Sequence, residues 1–282
     1  MATEVHDVEV QEGVVFGRGG GRDLRCDVYR PKGVAGPLPA ALVLYGGGWV
    51  RGSREAVREQ SRILAERGFV AVAGEYRLSG ESRWPAHIQD VKAALRWMHA
   101  NAASLGIDAS KVAAVGFSAG AHLALLAAGT PGDPRFAGEG GNPGASEAVA
   151  AVVAFYPPVH FHMPGEKRSG ASPATALAAD LTAEEAEVAA PMSYVTPAYP
   201  PTMLLHGTAD KVVPVSASLR MQEALNAARV PVDLRIYHGL PHGFPRLPGL
   251  MEVSMLDVAS FLDRVMVAPE RYVIDGTMPP GT

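Results

Sequence analysis

Alternating strand-like and helix-like segments predict an α/β protein whose mostly parallel sheet has helices on both faces. The main evidence is a set of apolar runs without polar alternation, at 40–45, 69–73 and 112–116. Such runs are typical of strands that helices cover on both sides. The intervening segments 54–67 and 84–101 have apolar residues at helical spacing, and the first of them ends at a glycine, a helix stop signal.

The remaining elements follow the same alternation. Two short segments, 8–16 and 24–29, surround a glycine-rich turn and predict a pair of opening strands. The later elements are three helices, at 119–128, 216–228 and 253–267, and three strands, at 148–155, 203–206 and 232–237. The pattern therefore predicts a single α/β domain over residues 1–267.

Three regions do not fit the alternation. Residues 130–146 are rich in glycine and proline, whereas 159–199 are rich in proline and alanine, with a helix expected at 183–189. We expect the second region to be an insertion between core strands that covers the active site as a small lid. The polar tail 268–282 contains proline and glycine and is expected to pack loosely.

Composition excludes several classes of protein. Apolar residues make up 48% and charged residues 19% of the 282 residues, which is typical of a globular chain. A net charge of −4 predicts no nucleic-acid partner, and the single cysteine, Cys26, excludes a disulfide within one chain. No signal peptide and no apolar run of about 18 residues is visible, so we expect a cytoplasmic protein without a membrane partner.

The most informative motif for chemistry is Gly116-Phe117-Ser118-Ala119-Gly120. It lies between a predicted strand and a predicted helix, as in a nucleophile elbow, where a sharp turn lifts a serine hydroxyl above the sheet. Glycines flank the serine because larger side chains would clash in this turn. The alternative is an ordinary strand-to-helix turn that contains a serine.

A second motif consists of three consecutive glycines between Tyr45 and Trp49, directly after a predicted strand. Because glycines leave the backbone unobstructed, the amides of Gly47 and Gly48 can point at a developing oxyanion, together with the amide of Ala119. We therefore predict that these three amides form an oxyanion hole. A phosphate-binding loop is the alternative, but the lysine that such loops require does not follow the glycines.

A serine nucleophile needs a base, and the base needs a carboxylate that orients it. Asp210 follows the predicted strand at 203–206, and His242 follows the strand at 232–237. Ser118, Asp210 and His242 are therefore the predicted nucleophile, acid and base. Their order along the chain is the one expected after a G-x-S-x-G elbow.

Other residues compete for these roles. His238 directly follows its strand and is the alternative base, whereas His206 precedes the acid and is expected to be structural. Asp233 begins a strand, which places it at the wrong end of the sheet. His122 lies four residues after Ser118 and is expected to be a packed, hydrogen-bonded histidine. The histidines lack paired metal spacing, so no metal is expected.

These motifs resemble those of the hormone-sensitive-lipase-like esterases and the bacterial acetyl-xylan and feruloyl-type esterases of the α/β-hydrolase superfamily. The resemblance runs from about residue 24 to residue 267. It rests on an ordered series of motifs: GGGW at 46–49, EYRL at 75–78, WPA at 84–86, DV at 90–91, GFSAG at 116–120 followed by His122, HGTAD at 206–210, VP at 213–214 and PHGF at 241–244.

The resemblance implies the α/β-hydrolase fold with about eight strands, hydrolysis of short-chain acyl esters, no cofactor, and the triad and oxyanion donors named above.

Two departures from the family's motifs stand out. Tyr45 replaces the histidine that usually precedes the glycines, and would either anchor the loop through its hydroxyl or reach into the acyl pocket. Phe117 replaces the usual aspartate, which favours the acetyl-xylan and feruloyl-type branch. Tyr45, Trp49 and Phe117 are predicted to contact the substrate.

The expected function is therefore hydrolysis of small-molecule carboxylic esters through an acyl-enzyme. A peptidase of the prolyl-oligopeptidase type shares this catalytic domain, but such enzymes usually carry a large extra domain for which the chain has no room. A ligand-binding protein without activity is the second alternative. Binding proteins of this family have lost the histidine, whereas His242 is present.

Overall fold

The computed structural model describes residues 5–161, 177 and 181–272. Its strands, numbered along the chain, are β1 Val8–Gly19, β2 Arg22–Pro31, β3 Leu38–Leu44, β4 Val70–Gly74, β5 Ile107–Phe117, β6 Ala151–Phe155, β7 Thr202–Gly207 and β8 Val232–Tyr237. They form one sheet in the order β1-β2-β4-β3-β5-β6-β7-β8. Strand β2 is antiparallel to both neighbours, and the strands from β4 to β8 are parallel.

The described helices lie between the strands, as the apolar periodicity predicted. They are α1 Arg58–Glu66, α2 Ala86–Ala100, α3 Ala102–Leu105, α4 Ala119–Gly129, α5 Ala183–Ala189, α6 Ser216–Ala227 and α7 Leu250–Leu262. None of the helices in the described part of the chain is long and apolar enough to cross a membrane. The predicted helix at 183–189 is present. The rest of the proposed lid, at 162–176 and 178–180, lies outside the described residues.

Several boundaries differ from the predicted ones. Strand β1 is continuous rather than a short piece, because two register irregularities let it follow β2 along its length. Strand β5 begins at Ile107, before the apolar run, because Leu38 of β3 pairs with it across a register shift. Helix α7 stops at Leu262 and continues as a wider π-helical turn, Asp263–Val267. Of the predicted loose tail, Pro269–Tyr272 forms a 3-10 turn, and 273–282 lie outside the described residues.

The register of the parallel strands brings their carboxyl ends to one edge of the sheet. Leu44 pairs with Gly116, and Phe155 pairs with both Phe117 and Leu205. The loops that follow β3, β5, β6, β7 and β8 therefore emerge side by side. This edge is where an open parallel sheet places a binding site.

Helix α4 is buried along almost its whole length. Every residue from Ala119 to Ala128 is buried. It packs on β5 and β6 on one side and is covered by α2 and the turn Pro191–Tyr194 on the other. A helix enclosed in this way is apolar all round, which explains why its sequence lacks an amphipathic pattern. The burial fixes the helix, and with it the serine at its start.

Candidate active site

Ser118 occupies a strained turn between β5 and α4. Its φ of 53° and ψ of −115° are rare for a residue other than glycine. A Cβ on Gly116 would lie 2.3 Å from the carbonyl oxygen of Gly120, and one on Gly120 would lie 2.4 Å from that of Leu44. Both glycines of the motif are therefore required. The turn has the strand–turn–helix form of a nucleophile elbow.

The structure brings Ser118, His242 and Asp210 into one hydrogen-bonded row. The Ser118 Oγ lies 2.9 Å from His242 Nε2, and His242 Nδ1 lies 2.6 Å from Asp210 Oδ2. A carboxylate only accepts hydrogen bonds, so Nδ1 carries the proton and Nε2 accepts from the serine hydroxyl. The hydroxyl is thus paired with an unprotonated imidazole nitrogen, the arrangement that activates a serine nucleophile.

The loops after β7 and β8 are tied to each other. A Cβ on Gly207 would lie 2.1 Å from the Leu240 carbonyl oxygen, so the second loop crosses directly over the end of β7. The Ala209 amide donates to the same carbonyl at 3.0 Å, and the Gly239 amide donates to Thr208 Oγ1 at 2.8 Å. These contacts fix the position of the acid relative to the base.

The Asp210 carboxylate is fully buried and fully hydrogen-bonded. Its Oδ1 accepts from the amides of Val212 and Val213 at 2.8 and 2.9 Å, and Oδ2 lies 3.3 Å from His206 Nε2. Burial by itself raises the pKa of Asp210, but hydrogen bonds from His206 and His242 outweigh it and bring the pKa below its usual value. Asp210 is therefore ionised at neutral pH.

His206 is a second histidine beside the acid, and no sequence pattern predicted this contact. Its Nε2 lies 2.9 Å from the Val213 carbonyl, so this nitrogen carries the proton, and its Nδ1 accepts from Ser218 Oγ at 2.7 Å. His206 is buried, as expected of a structural residue. The spacing of four residues to Asp210 is the one signal that would have suggested the pairing.

The glycines after β3 run against the elbow. A Cβ on Gly46 would lie 3.1 Å from the Ser118 Cβ, so the two backbones approach more closely than side chains allow. Gly47 and Gly48 have φ angles of 135° and 64°, in the region that favours glycine. At the start of α4, the amide of Ala119 belongs to the first turn, whose amides have no acceptor within the helix. Gly46 therefore lies against Ser118, and the role of Gly47, Gly48 and Ala119 as oxyanion donors stays a prediction.

Tyr45 contacts the protein rather than an open pocket. It is 2% exposed, and its hydroxyl donates to the Tyr76 carbonyl at 3.1 Å. Of the two alternatives expected for this residue, these contacts favour an anchor for the loop. Contact between Tyr45 and the substrate stays a prediction.

Trp49 and His122 form a buried pair behind the glycines. Trp49 Nε1 donates to His122 Nδ1 at 3.2 Å, and His122 Nε2 donates to the Ala189 carbonyl at 2.8 Å. Burial lowers the pKa of His122 to about 4, so it is neutral at pH 7. His122 is thus the packed, hydrogen-bonded histidine that was expected. Trp49 is 0% exposed, and its contact with the substrate stays a prediction.

Aromatic rings lie next to Ser118 in the chain and against the ring of the base. Phe117 stacks on Phe155 with ring centroids 4.5 Å apart, and its predicted contact with the substrate stays a prediction. The ring of Tyr156, directly after β6, lies 4.4 Å from that of His242. Tyr156 has a φ of 42°, rare for a bulky residue, and its amide donates to the Leu205 carbonyl at 2.7 Å. No sequence pattern predicted Tyr156 here.

The competing residues lie elsewhere. His238 is exposed, and Asp233 near the start of β8 pairs with Arg264 at 2.7 Å. Within 5–161, 177 and 181–272, no group of three or more histidine, cysteine or carboxylate side chains is placed to hold a metal ion. The absence of a cofactor stays a prediction.

The geometry agrees with what comparisons of the sequence show. Residues 26–225 match the model of the family described as BD-FAE. The chain belongs to this family. Esterase LipC of Mycobacterium tuberculosis is 35% identical over 237 residues, which cover 79% of this chain and 57% of LipC. The chain spans about half the length of the curated relatives LipC, LipM and LipQ, of which it covers 57%, 54% and 51%.

Two solved structures are similar over almost all of this chain. A truncated carbohydrate esterase from gut microbiota has a TM-score of 0.80 at 26% identity and covers 94% of this chain and 99% of its own. The esterase Est2 of Thermogutta terrifontis with propionate bound has a TM-score of 0.77 at 27% identity, with 96% and 97% covered. The α/β-hydrolase fold and the resemblance to esterases of the hormone-sensitive-lipase-like type are thereby confirmed.

Proposed function

We propose that the protein is a serine carboxylesterase that hydrolyses small, short-chain acyl esters through an acyl-enzyme. The observation that carries this proposal is the row from Ser118 to His242 to Asp210, with links of 2.9 and 2.6 Å. Membership of the BD-FAE family and similarity to proteins named esterases support the same reaction class.

In the first half-reaction, Ser118 Oγ attacks the ester carbonyl carbon while His242 Nε2 takes the hydroxyl proton. The buried Asp210 carboxylate orients the imidazole and stabilises its protonated form. As the new C–O bond forms, the carbonyl electrons move onto the oxygen. The tetrahedral intermediate then collapses, and the alcohol leaves with the proton from His242.

The developing oxyanion is stabilised by the backbone amides of Gly47, Gly48 and Ala119. Such donors act on a charge that appears only in the transition state, so they lower the activation barrier rather than tighten substrate binding. Losing one donor typically costs about 2.7–4 kcal/mol of transition-state stabilisation.

In the second half-reaction, water replaces the alcohol. His242 takes a proton from the water, which attacks the acyl carbon, and the proton is then returned to Ser118 Oγ as the acid leaves. The preference for short acyl chains is supported by Est2, whose structures are described with propionate and with butyrate bound. A curated relative that is 30% identical over 266 residues supports the same preference, because it is named a versiconal hemiacetal acetate esterase.

The experiment measures hydrolysis of p-nitrophenyl acetate, butyrate, octanoate and laurate by the protein and by Ser118→Ala. Losing the nucleophile in such a triad reduces kcat by about 10⁶-fold. Ser254→Ala is the matched control, because Ser254 is a buried serine of α7 whose hydroxyl donates to the helix carbonyls of Leu250 and Met251. We expect acetate and butyrate to react fastest, the control to keep full activity, and Ser118→Ala to be inactive.

Four results would contradict the proposal. Equal activity of Ser118→Ala would refute the nucleophile, and a preference for laurate would refute the short-chain specificity. Inertness toward every ester, combined with no labelling of Ser118 by a fluorophosphonate, would favour a binding protein. A peptide substrate that reacts faster than the aryl esters would favour the peptidase alternative.

A further inference from the structure

Tyr45 and Tyr76 form a reciprocal buried pair at the start of the glycine loop, the name used here for residues 46–48. The Tyr45 hydroxyl donates to the Tyr76 carbonyl at 3.1 Å, and the Tyr76 hydroxyl donates to the Tyr45 carbonyl at 2.8 Å. The rings stack with centroids 4.4 Å apart and planes 11° apart. Each residue thus binds the backbone of the other, and the position of the Tyr45 carbonyl is fixed.

The partner, Tyr76, is itself held firmly. The next residue, Arg77, makes three hydrogen bonds to the buried Asp90 of α2, from its amide at 2.8 Å, from Nε at 2.8 Å and from Nη2 at 2.7 Å. A two-point guanidinium–carboxylate contact restricts orientation as well as distance. Tyr76 therefore cannot shift without moving a core helix.

The chain that returns from the glycine loop packs on the same ring. A Cβ on Gly52 would lie 2.6 Å from Tyr45 Cδ2, and a Cβ on Gly120 would lie 2.4 Å from the Tyr45 carbonyl oxygen. At the far end of the loop, the Trp49 carbonyl accepts from the Ser79 amide at 2.8 Å. The loop is thus held at both ends, and Tyr45 is enclosed between Tyr76 and the start of α4.

We propose that the Tyr45–Tyr76 pair positions the amides of the glycine loop for the oxyanion, in the place of the family's usual histidine. The inference rests on the proposed function, because an oxyanion must form for its donors to matter. Glycine has the most conformational freedom to lose, so three in succession need an external constraint to stay aimed at one point. Preorganised donors are effective because they do not reorganise during the reaction.

Removal of either hydroxyl keeps the ring stack and the volume of the core. The loop amides then lose part of their constraint while Ser118, His242 and Asp210 stay in contact. Because the oxyanion exists only after attack, the loss falls on kcat and leaves KM almost unchanged. Tyr45 and Tyr76 are positioning residues in this scheme, since they act through the amides of the glycine loop.

The test compares Tyr45→Phe, Tyr76→Phe and the control Tyr199→Phe. Tyr199 is 4% exposed, and its hydroxyl donates to the Leu125 carbonyl at 2.6 Å on α4, so the control also removes one buried tyrosine hydrogen bond. Turnover of p-nitrophenyl acetate is measured beside inhibition by a methyl trifluoromethyl ketone. Ser118 Oγ adds to this ketone, whose oxygen becomes an oxyanion as the hydroxyl proton passes to His242.

We expect kcat to fall by about 10- to 100-fold in the first two variants, less than the 10²–10³-fold typical of losing a donor outright. The inhibition constant of the ketone should rise by the same factor, while KM changes less than about twofold. Tyr199→Phe should match the parent protein in all three quantities. A purely structural role would not move kcat and ketone affinity together.

Two outcomes would overturn the positioning role. One is unchanged kcat in both folded variants, and the other is a fall in kcat that leaves ketone inhibition unaffected. Thermal unfolding identifies a variant that fails to fold, and the reciprocal variant then decides the question. Failure of the proposed function would look different, because the parent protein would neither hydrolyse the ester nor bind the ketone.

Discussion

The two sides of Ser118 are held by different kinds of contact. On the side of the base, the His242 side chain contacts the Ser118 hydroxyl, and the buried Asp210 carboxylate holds the other nitrogen of the imidazole. On the side of the glycine loop, the predicted donors are backbone amides, and the side chains of Tyr45 and Trp49 bind Tyr76 and His122. By the proposed mechanism, substitutions on the first side would remove a reacting group, whereas those behind the loop would only loosen a donor. Effects on activity should therefore differ by several orders of magnitude.

The largest loss of activity is expected when the base is removed. His242→Ala removes the proton acceptor and should lower kcat by about 10⁶-fold, as losing the nucleophile does. His238→Ala is the matched control, because His238 is an exposed histidine that begins the same loop. Steady-state hydrolysis of p-nitrophenyl acetate measures both. Equal losses of kcat in the two variants would show that the hydrogen bond between His242 and Ser118 does not identify the base.

A smaller effect is expected at the acid. Asp210→Asn keeps the shape but favours the wrong imidazole tautomer, which costs about 10⁴-fold in kcat in triads of this kind. Asp233→Asn is the control, because Asp233 pairs with Arg264 away from Ser118. Activity of Asp210→Asn within tenfold of the parent protein would assign the orienting role to another group.

The smallest expected effect is on stability. It concerns His122, the buried histidine that binds Trp49 after the glycine loop. The pKa of His122 is lowered to about 4 by burial, below the ordinary value of about 6.5 in an unfolded chain. Between these pH values the unfolded chain binds a proton that the folded protein excludes. The free energy of unfolding should therefore fall as the pH falls from 6 to 5, by about 1 kcal/mol for this histidine.

Urea unfolding at pH 6 and pH 5 measures this loss. His122→Asn should reduce the loss by about 1 kcal/mol. His87, another buried histidine with its pKa lowered to about 4 by burial, should keep its own contribution in that variant. An unchanged pH dependence in His122→Asn would mean that His122 is protonated in the folded protein.

The sequence predicted most of the sheet because its determinants are local. An apolar run, a glycine stop and the spacing of apolar residues each depend on neighbouring positions, so the parallel strands and their helices could be assigned one by one. The elbow around Ser118 was predictable for the same reason. The start of β5 at Ile107 was not, because pairing with Leu38 of another strand decides it.

Chain order and strand ends also selected Asp210 and His242 from the sequence, since parallel strands bring their carboxyl ends together. The tertiary structure alone decided which groups support them. His206 reaches Asp210 only because the loop after β7 folds back, and Tyr156 meets His242 across three strands of the sheet. Such contacts join residues far apart in the chain, and their distances depend on packing that no local pattern encodes.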